Sequence, residues 1–334
     1  MGLLKKKKRK PQQKKVVKST PKGPPKQWTP PFAMTGKRSQ QKMLDDANPI
    51  KDIPKLTASK PTYTIPAPVS LPAAETPTEE VKPVRPKEEL ARKEFLKIFH
   101  KLTYRWRSWD IWTDFVTLVA CTISNSVDKL HYEEREALYM RTITKYNKDK
   151  QALFPELFAQ LVLALEDNPE QDFLGSIYTE LGLNSAEHKQ IFTPYHICHL
   201  MAEITFGDLA KDVEEKGFVT VHDNCCGAGA TLIAAANVAK IKLEKVGLNF
   251  QNHILITGQD IDPLVTMMCY IQLSLLGVAG YFKVGNALLE PMTDEDSLDN
   301  YWFTPMYFFP VWTFRRMWRS LDKLTEGGPA NANS

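Results

Sequence analysis

Apolar side chains recur at spacings of three and four residues from Glu89 to about Asp167. This period places them on one face of successive helices, and such faces pack together as a core. The positions are Phe95, Ile98, Phe99, Leu102, Trp106, Trp109, Trp112, Phe115, Val116 and Val119, followed by Leu153, Leu157, Leu161 and Leu165. We therefore predict a small helical domain over residues 89–170.

Three tryptophans of this run lie among arginines, in the stretch TyrArgTrpArgSerTrpAspIleTrp. Exposed tryptophans beside arginines can stack on nucleic-acid bases. Tryptophans at helical spacing are more often part of a core, and this is the interpretation that we favour for Trp106, Trp109 and Trp112.

After residue 170, short apolar runs alternate with helical patterns. FVTVHD ends in Asp223 and precedes a glycine turn and a helix, HILITGQD ends in Asp260 and precedes a helix from Pro263, and YFKVGN ends in Asn286. Strands that alternate with helices are typical of a doubly wound parallel sheet. We predict an α/β fold over residues 171–334, with a further helix that has Thr193 as its N-cap and Pro194 at its first position.

Residues 1–88 have no apolar period and hold fifteen of the 23 prolines. This composition predicts a disordered, proline-rich arm. Residues 1–42 carry fourteen Lys and Arg and no acid, whereas the rest has 29 basic and 39 acidic residues. The basic start fits a nuclear-import signal, a phosphate-binding tail or a plain solvated charge run, and a basic arm on an acidic body favours a nucleic-acid partner.

The chain has neither an apolar run near the ~18 residues of a membrane helix nor a signal-peptide pattern. Its five cysteines form no CxxC pair, which favours a reducing compartment. We expect no membrane association and a cytoplasmic, nucleoid-associated protein, or a nuclear one in a eukaryotic host. We expect no metal, because the spacing of His196, Cys198, His199 and Cys225 matches no known zinc pattern.

The turn AspAsnCysCysGlyAlaGly, residues 223–229, is almost free of large side chains. In a parallel sheet, ligands bind at the carboxyl ends of the strands, where glycines let the backbone approach the ligand. A dinucleotide-binding turn has a third small residue three places after Gly229, and this chain has Leu232 there. The turn therefore predicts a ligand other than a pyrophosphate.

Four segments in order resemble the S-adenosylmethionine-dependent DNA adenine-N6 methyltransferases, in particular the modification subunits of type I restriction systems and their phage relatives. The glycine turn resembles Asp-Pro-x-x-Gly-Ser-Gly, and IlePheThrPro, 191–194, is similar to Phe-Tyr-Thr-Pro. GlyGlnAspIleAspPro, 258–263, resembles Gly-Gln-Glu-x-x-Pro, and ValGlyAsnAlaLeu, 284–288, is similar to Gly-Asp-x-Leu. The resemblance runs from about residue 172 to residue 307.

The resemblance implies a short or truncated Rossmann-like methyltransferase core and S-adenosylmethionine as the cofactor. In the family, the acid after the second strand binds the ribose hydroxyls, and the polar residue after the third lies by the adenine. Carried over motif by motif, the predicted cofactor-binding residues are Phe192, Thr193, Pro194, Asp223, Cys225, Gly227, Gly229, Asp260, Asp262 and Asn286.

The family's catalytic motif is Asn-Pro-Pro-Tyr or Asn-Pro-Pro-Phe, and the matching segment here is ThrProMetTyr, 304–307. Its Asn and first Pro accept hydrogen bonds from the target amine, and its aromatic ring stacks on the flipped base. Carried over, the predicted catalytic residues are Thr304, Pro305 and Tyr307.

The sequence thus predicts a site-specific DNA adenine-N6 methyltransferase of restriction-modification or phage type. The replacement of Asn by Thr304 supports an alternative, a catalytically degenerate relative that binds cofactor or DNA as a subunit or decoy. DNA is the expected partner, together with a specificity subunit or another protein that supplies target recognition.

Overall fold

The computed structural model describes residues 87–183, 192–293 and 296–326. The chain divides into two units, Met1–Pro77 and Thr78–Ser334, and the described residues all belong to the second. The predicted arm lies outside the described residues except for its last two positions, which begin the first helix.

The first part of the described chain is helical, as predicted. Its helices are α1 (Lys87–Thr103), α2 (Ser108–Val127), α3 (Tyr132–Ile143), α4 (Lys148–Gln151), α5 (Leu153–Asp167) and α6 (Phe173–Glu180). The apolar face of α1 meets α2 and α6 through Phe95, whose ring makes edge contacts with Phe115 at 5.4 Å and Phe173 at 5.6 Å. In α5, Leu157, Leu161 and Leu165 are buried, which confirms the second periodic run.

Two of the three tryptophans depart from the expectation of burial. Trp112 is fully buried in α2, whereas Trp106 is 39% exposed and Trp109 is 49% exposed. The helical pattern is interrupted after Thr103, where the chain turns before α2 begins at Ser108. The turn carries Trp106 out of the apolar face.

The second part supplies the sheet and its crossover helices. Its elements are α7 (Tyr195–Thr205), α8 (Leu209–Lys216), β1 (Val219–Asp223), α9 (Ala230–Glu244), α10 (Phe250–His253), β2 (Ile254–Asp260), α11 (Pro263–Leu275), β3 (Ala279–Val284), β4 (Tyr301–Phe303) and α12 (Pro310–Glu326). Two 3-10 turns, Leu298–Asn300 and Pro305–Phe308, flank β4.

The sheet has the order β1-β2-β3-β4. The first three strands are parallel, with Asp223 opposite Gly258 and Asp260 opposite Val284. The fourth is antiparallel, with Tyr281 opposite Phe303. Parallel strands joined by the crossover helices α9 and α11 make this a Rossmann-like α/β core, as predicted.

One hydrophobic core runs through the helices before residue 170 and the sheet after it. It includes Phe115 of α2, Leu161 of α5, Ile233 of α9 and Ile256 of β2. Within the described residues, no helix is both long enough and apolar enough to span a bilayer.

Buried polar contacts join β4 to the helical part. Arg135 of α3 donates hydrogen bonds to Asp128 at 2.9 Å and to the carbonyl oxygen of Tyr301 at 2.5 Å, and its guanidinium lies 4.0 Å from the ring centroid of Trp302. The apolar pattern does not reveal this anchor, because Arg135 is a charged residue that is nevertheless buried.

Candidate functional site: a glycine turn at the carboxyl edge of the sheet

The carboxyl ends of β1 and β2 bring Asp223 and Asp260 to the same edge of the sheet. Between them, the turn after β1 is held by its own polar groups. Oδ1 of Asp223 accepts from the amide of Cys225 at 2.9 Å, and its Oδ2 accepts from the hydroxyl of Thr231 in the first turn of α9. Oδ2 of Asp260 accepts from the amide of Gly227 at 2.9 Å. The two carboxylates therefore fix both ends of the turn.

Gly227 and Gly229 have backbone conformations that favour glycine, with φ of +51° and +99°. A Cβ at Gly227 would lie 3.3 Å from the ring of Phe192, and a Cβ at Gly229 would lie 2.8 Å from Sγ of Cys269 in α11. The missing side chain of Gly229 thus lets the start of α9 lie close to α11. Dinucleotide-binding folds use a third glycine for close packing of their helix. This explains why the position of Leu232 can carry a large side chain.

A cavity of about 160 Å³ opens at this turn. Its lining consists of Phe192, Thr193, Asp223, Cys225, Cys226, Gly227, Ala228, Ala230, Thr231, Asp260 and Val265. We call this cavity the cradle. It brings together six of the ten predicted cofactor-binding residues: Phe192, Thr193, Asp223, Cys225, Gly227 and Asp260.

Asp260 is the most constrained acid of the cradle. Its Oδ1 accepts from the amide of Asp262 at 3.0 Å, in addition to the bond from Gly227 to Oδ2. Burial raises the pKa of the Asp260 carboxyl, and the two backbone hydrogen bonds oppose that rise. Each carboxylate oxygen has two acceptor sites, so both can accept a further hydrogen bond from a ligand.

Pro194, Gly229, Asp262 and Asn286 do not line the cradle, and each has a local structural role. Pro194, not Thr193, is the N-cap of α7, and its carbonyl oxygen accepts from the amide of Ile197 at 2.9 Å. The predicted cap is therefore wrong by one residue, because Pro194 has an extended ψ of 135° and helical geometry begins only at Tyr195.

The two polar residues of this group order turns. Asp262 caps α11 through a bond of 2.8 Å from the amide of Leu264 to Oδ1. Asn286 lies two residues beyond the end of β3, and its Oδ1 accepts from the amides of Leu288 at 2.9 Å and Leu289 at 3.3 Å. Its polar side chain thus stabilises the loop after β3.

The predicted catalytic segment lies at the opposite edge of the sheet. Because β4 is antiparallel, it begins beside Lys283 and ends beside Tyr281, so that Thr304 reaches the start of β3. Thr304 Oγ1 accepts from the amide of Gly280 at 2.9 Å and donates to the carbonyl of Val278 at 2.7 Å. Gly280 lies four residues before Val284, and at about 3.3 Å per residue this separation is about 13 Å.

Thr304 is fully buried, and its hydroxyl is engaged by the backbone of β3. Pro305 begins the 3-10 turn that follows. The ring of Tyr307 stacks on Phe303 with centroids 5.0 Å apart, and the Arg316 guanidinium lies 4.0 Å from its centroid. The structure does not bring Thr304, Pro305 and Tyr307 to the cradle, because the direction of β4 carries them away from it.

β1 is the first strand of the described sheet and pairs only with β2 there. In doubly wound sheets, ligands bind where the strand order reverses, in a crevice with a strand on either side. The described residues supply one wall of such a crevice. A groove of about 440 Å³ runs along the other side of β1, between this strand, α7 and α8.

The pattern of the sequence missed several contributors to the cradle. Cys226, Ala228 and Val265 line it as small or apolar residues, which carry no chemical signal. The Thr231 hydroxyl could have been anticipated, since a polar residue in the first turn after a glycine loop can bond back to the strand. Gln272 donates to the carbonyl oxygen of Ala228 at 3.0 Å from the middle of α11, a contact between elements distant in sequence.

No group of three His, Cys, Asp or Glu side chains in the described chain is arranged to hold a metal ion. Cys198 is buried in α7 with Sγ 3.7 Å from the carbonyl oxygen of Thr193, and Cys225 is exposed in the turn. Burial raises the pKa of both thiols, which disfavours the thiolate.

Comparison with known proteins agrees with this geometry. Residues 169–319 match the family model for N-6 DNA methylases. No curated protein matches the chain in sequence. A solved structure from Listeria monocytogenes, assigned to the class I S-adenosylmethionine-dependent methyltransferases, has 16% identity and a TM-score of 0.35, over 60% of this chain and 55% of that one.

This chain thus spans about half the length of the Listeria structure. The fold assignment rests on the strand order and crossover helices of the chain itself. The matched region contains the cradle, both of its acidic strand ends and all four strands. The part of the chain that forms the cradle and the sheet is therefore the part that is similar to the N-6 DNA methylases.

Proposed function

We propose that the chain binds S-adenosylmethionine in the cradle and acts in adenine-N6 methylation of DNA. The observation that carries this proposal is the bond between the Gly227 amide and the Asp260 carboxylate, at the carboxyl ends of adjacent parallel strands. The cofactor is S-adenosylmethionine, the methyl donor of the family that this region matches. It supplies an electrophilic methyl group on a sulfonium.

The residues of the cradle fit this cofactor chemically. The free acceptor sites of Asp260 suit vicinal hydroxyls such as those of ribose, because a carboxylate can accept from both at once. The ring of Phe192 packs against the bare glycine turn and supplies an apolar wall of the cradle. Asp223 is the second acid at this edge, so the cradle favours a ligand that carries positive charge.

The matched family and the charge pattern support DNA as the acceptor substrate. The family name gives DNA and the N6 position, and the fourteen positive charges of residues 1–42 favour a nucleic-acid partner. An enzyme of this type must also orient the target amine toward the methyl group. Thr304 bonds to Gly280, about 13 Å along β3 from the carboxyl end of that strand. We propose that the amine's acceptor comes from residues outside the described chain or from a partner.

The burial of Thr304 favours a second candidate function. In this alternative, the chain is a cofactor-binding or DNA-binding subunit without transfer activity of its own. The specificity subunit, the restriction-modification or phage context and the nucleoid-associated location stay predictions from the sequence.

Two measurements separate these functions. Isothermal titration calorimetry with S-adenosylmethionine should detect binding, and Asp260→Asn should weaken it by about 1.5 to 3 kcal/mol, the usual range for a hydrogen bond to a charged group. The exposed Asp149→Asn is the matched control. Absence of binding by the wild type would refute the cofactor proposal.

An assay for transfer of a labelled methyl group to DNA then tests whether the chain is an enzyme. Incorporation at adenine N6 by the purified chain supports the first candidate. Cofactor binding without incorporation into single-stranded or duplex DNA supports the subunit alternative.

A further inference from the structure

The turn between α1 and α2 displays aromatic and basic side chains together. Tyr104 is 86% exposed and Trp106 is 39% exposed, and Arg105 between them is exposed as well. Single exposed aromatic rings are common, whereas exposed rings that cluster with other apolar surface more often mark a binding site. The arrangement therefore calls for a ligand that meets both rings and cations.

These side chains surround a recess of about 560 Å³. Its lining consists of Tyr104, Arg105, Trp106, Lys145, Tyr146, Asn147 and Lys150. Three of the lining residues are basic, and none is acidic. We call this recess the aromatic recess.

Ring contacts and hydrogen bonds order several side chains that line the aromatic recess. The ring of Tyr146 lies 5.0 Å from that of Trp106, and its hydroxyl donates to Oδ2 of Asp114 at 2.6 Å. Oδ1 of the same carboxylate accepts from Nζ of Lys145 at 2.8 Å, and Nζ of Lys150 donates to the carbonyl oxygen of Lys101 at 2.5 Å. A ligand would therefore meet side chains that are already ordered, which lowers the entropic cost of binding.

Contacts link the start of α2 to the cradle. The side chain of Trp109 hydrogen-bonds to Tyr178, and the ring centroid of Tyr178 lies 6.0 Å from that of Phe192. Phe192 lines the cradle and abuts Gly227. Trp109, three residues after Trp106, is therefore connected to the cradle through Tyr178 and Phe192.

We propose that the aromatic recess binds single-stranded nucleic acid, with a base stacked on Trp106 and phosphates neutralised by Arg105 and Lys150. Aromatic platforms beside positive charge are the usual way to bind unpaired bases without sequence preference. A protein partner fits less well, because the centres of protein interfaces are depleted in lysine and this recess contains two. Only the choice of DNA over RNA rests on the proposed function.

The test is a titration of the full chain into a fluorescein-labelled oligothymidine, followed by fluorescence anisotropy. The titration is repeated at several salt concentrations, because the affinity contributed by the charges of residues 1–42 falls with salt, whereas the loss of the Trp106 ring should weaken binding at each concentration. Trp106→Ala should weaken binding by about tenfold, within the range for the loss of one stacked base, and Trp106→Phe should restore most of it. An equal weakening is expected when abasic nucleotides replace the thymidines.

Matched controls separate stacking and charge from general damage. Trp318→Ala removes another exposed tryptophan, and Lys211→Ala removes a surface lysine as the control for Lys150→Ala. Both controls should bind like the wild type, while Lys150→Ala and Arg105→Ala should bind more weakly. Circular-dichroism melting verifies that each variant folds.

The proposal is overturned if folded Trp106→Ala binds the oligonucleotide as tightly as the wild type, or if abasic strands bind equally well. Tighter binding to the matching oligouridine assigns the recess to RNA, and exclusive binding to duplex DNA also overturns the proposal. Asp260→Asn, which affects only the cradle, should leave oligonucleotide binding unchanged. The oligonucleotide titration thus tests the recess proposal separately from the cofactor proposal, which is tested by calorimetry.

Discussion

The side-chain amide nitrogen of Gln272 donates a hydrogen bond of 2.8 Å to Oδ1 of Asp172. The same nitrogen donates to the carbonyl oxygen of Ala228, and Oε1 of Gln272 accepts from the amide of Leu174 at 3.0 Å. One buried side chain of α11 therefore joins the start of α6 to the glycine turn. The helical part helps to hold the cradle through this contact, although the two are distant in sequence.

Asp172 makes the stability of the protein depend on pH. Burial raises the pKa of its carboxyl above the ordinary value of 3.8. A raised pKa means that the folded state favours the protonated form, so the stabilisation is complete below 3.8 and is lost as the pH rises through the folded-state pKa. Asp172→Asn cannot ionise, and its unfolding free energy relative to the wild type should rise with pH over that window.

Thermal unfolding at a series of pH values measures this difference. The exposed Asp149→Asn serves as the control and should follow the wild type. If the unfolding free energies of Asp172→Asn and the wild type change with pH in parallel, the pKa of the Asp172 carboxyl is the same in the folded and unfolded states, and the prediction is wrong. A constant offset between them reflects only the new amide group.

Thr304 should behave as a structural residue. Thr304→Val removes the hydroxyl that bonds to the backbone at Val278 and Gly280, and unsatisfied buried groups cost about 1 to 3 kcal/mol. Thr304→Asn introduces a longer side chain at a fully buried position and should also destabilise, without raising methylation. Urea unfolding and the methyl-transfer assay measure the two effects.

Thr205→Val is the control for Thr304, since its hydroxyl bonds only to the preceding turn of an exposed helix segment. It should change stability little. A Thr304→Asn variant with the stability of the wild type and increased adenine methylation would place the segment at the cradle after all.

Gly229→Ala tests the close approach of α9 and α11. The substitution combines an unfavourable φ of +99° with a Cβ only 2.8 Å from Sγ of Cys269. The left-handed conformation alone costs about 1 to 2 kcal/mol. We expect a larger loss of stability than this, together with weaker binding of S-adenosylmethionine.

Gly247→Ala isolates the conformational part, because Gly247 has a φ of +76° and no atom within 4 Å of its added Cβ. The difference in unfolding free energy between the two variants measures the packing contribution. Equal losses would show that Cys269 moves aside without cost.

Local chemistry made the cradle predictable from sequence. Asp223 and Asp260 end apolar runs, and parallel strands must bring such ends to one edge. Gly227 and Gly229 lie in a turn between a strand and a helix, where positive φ is common. Asp223, Gly227 and Asp260 of the cradle follow from these local signals. The other three predicted residues that line it, Phe192, Thr193 and Cys225, came from the resemblance to the methyltransferase family.

The position of the ThrProMetTyr segment depends on contacts that are remote in sequence. The direction of β4 is supported by Arg135, which bonds to Tyr301, and by Lys283, which bonds to Asp296 at 2.5 Å. Neither contact has a periodic signature, so the sequence did not reveal that Thr304 lies at the start of β3. For the same reason, helical spacing could not separate the buried Trp112 from the exposed Trp106 and Trp109.

The outermost position of β1 in the described sheet affects how a ligand can reach the cradle. With a strand on one side only, the cradle can be reached from the flank of the sheet as well as from above.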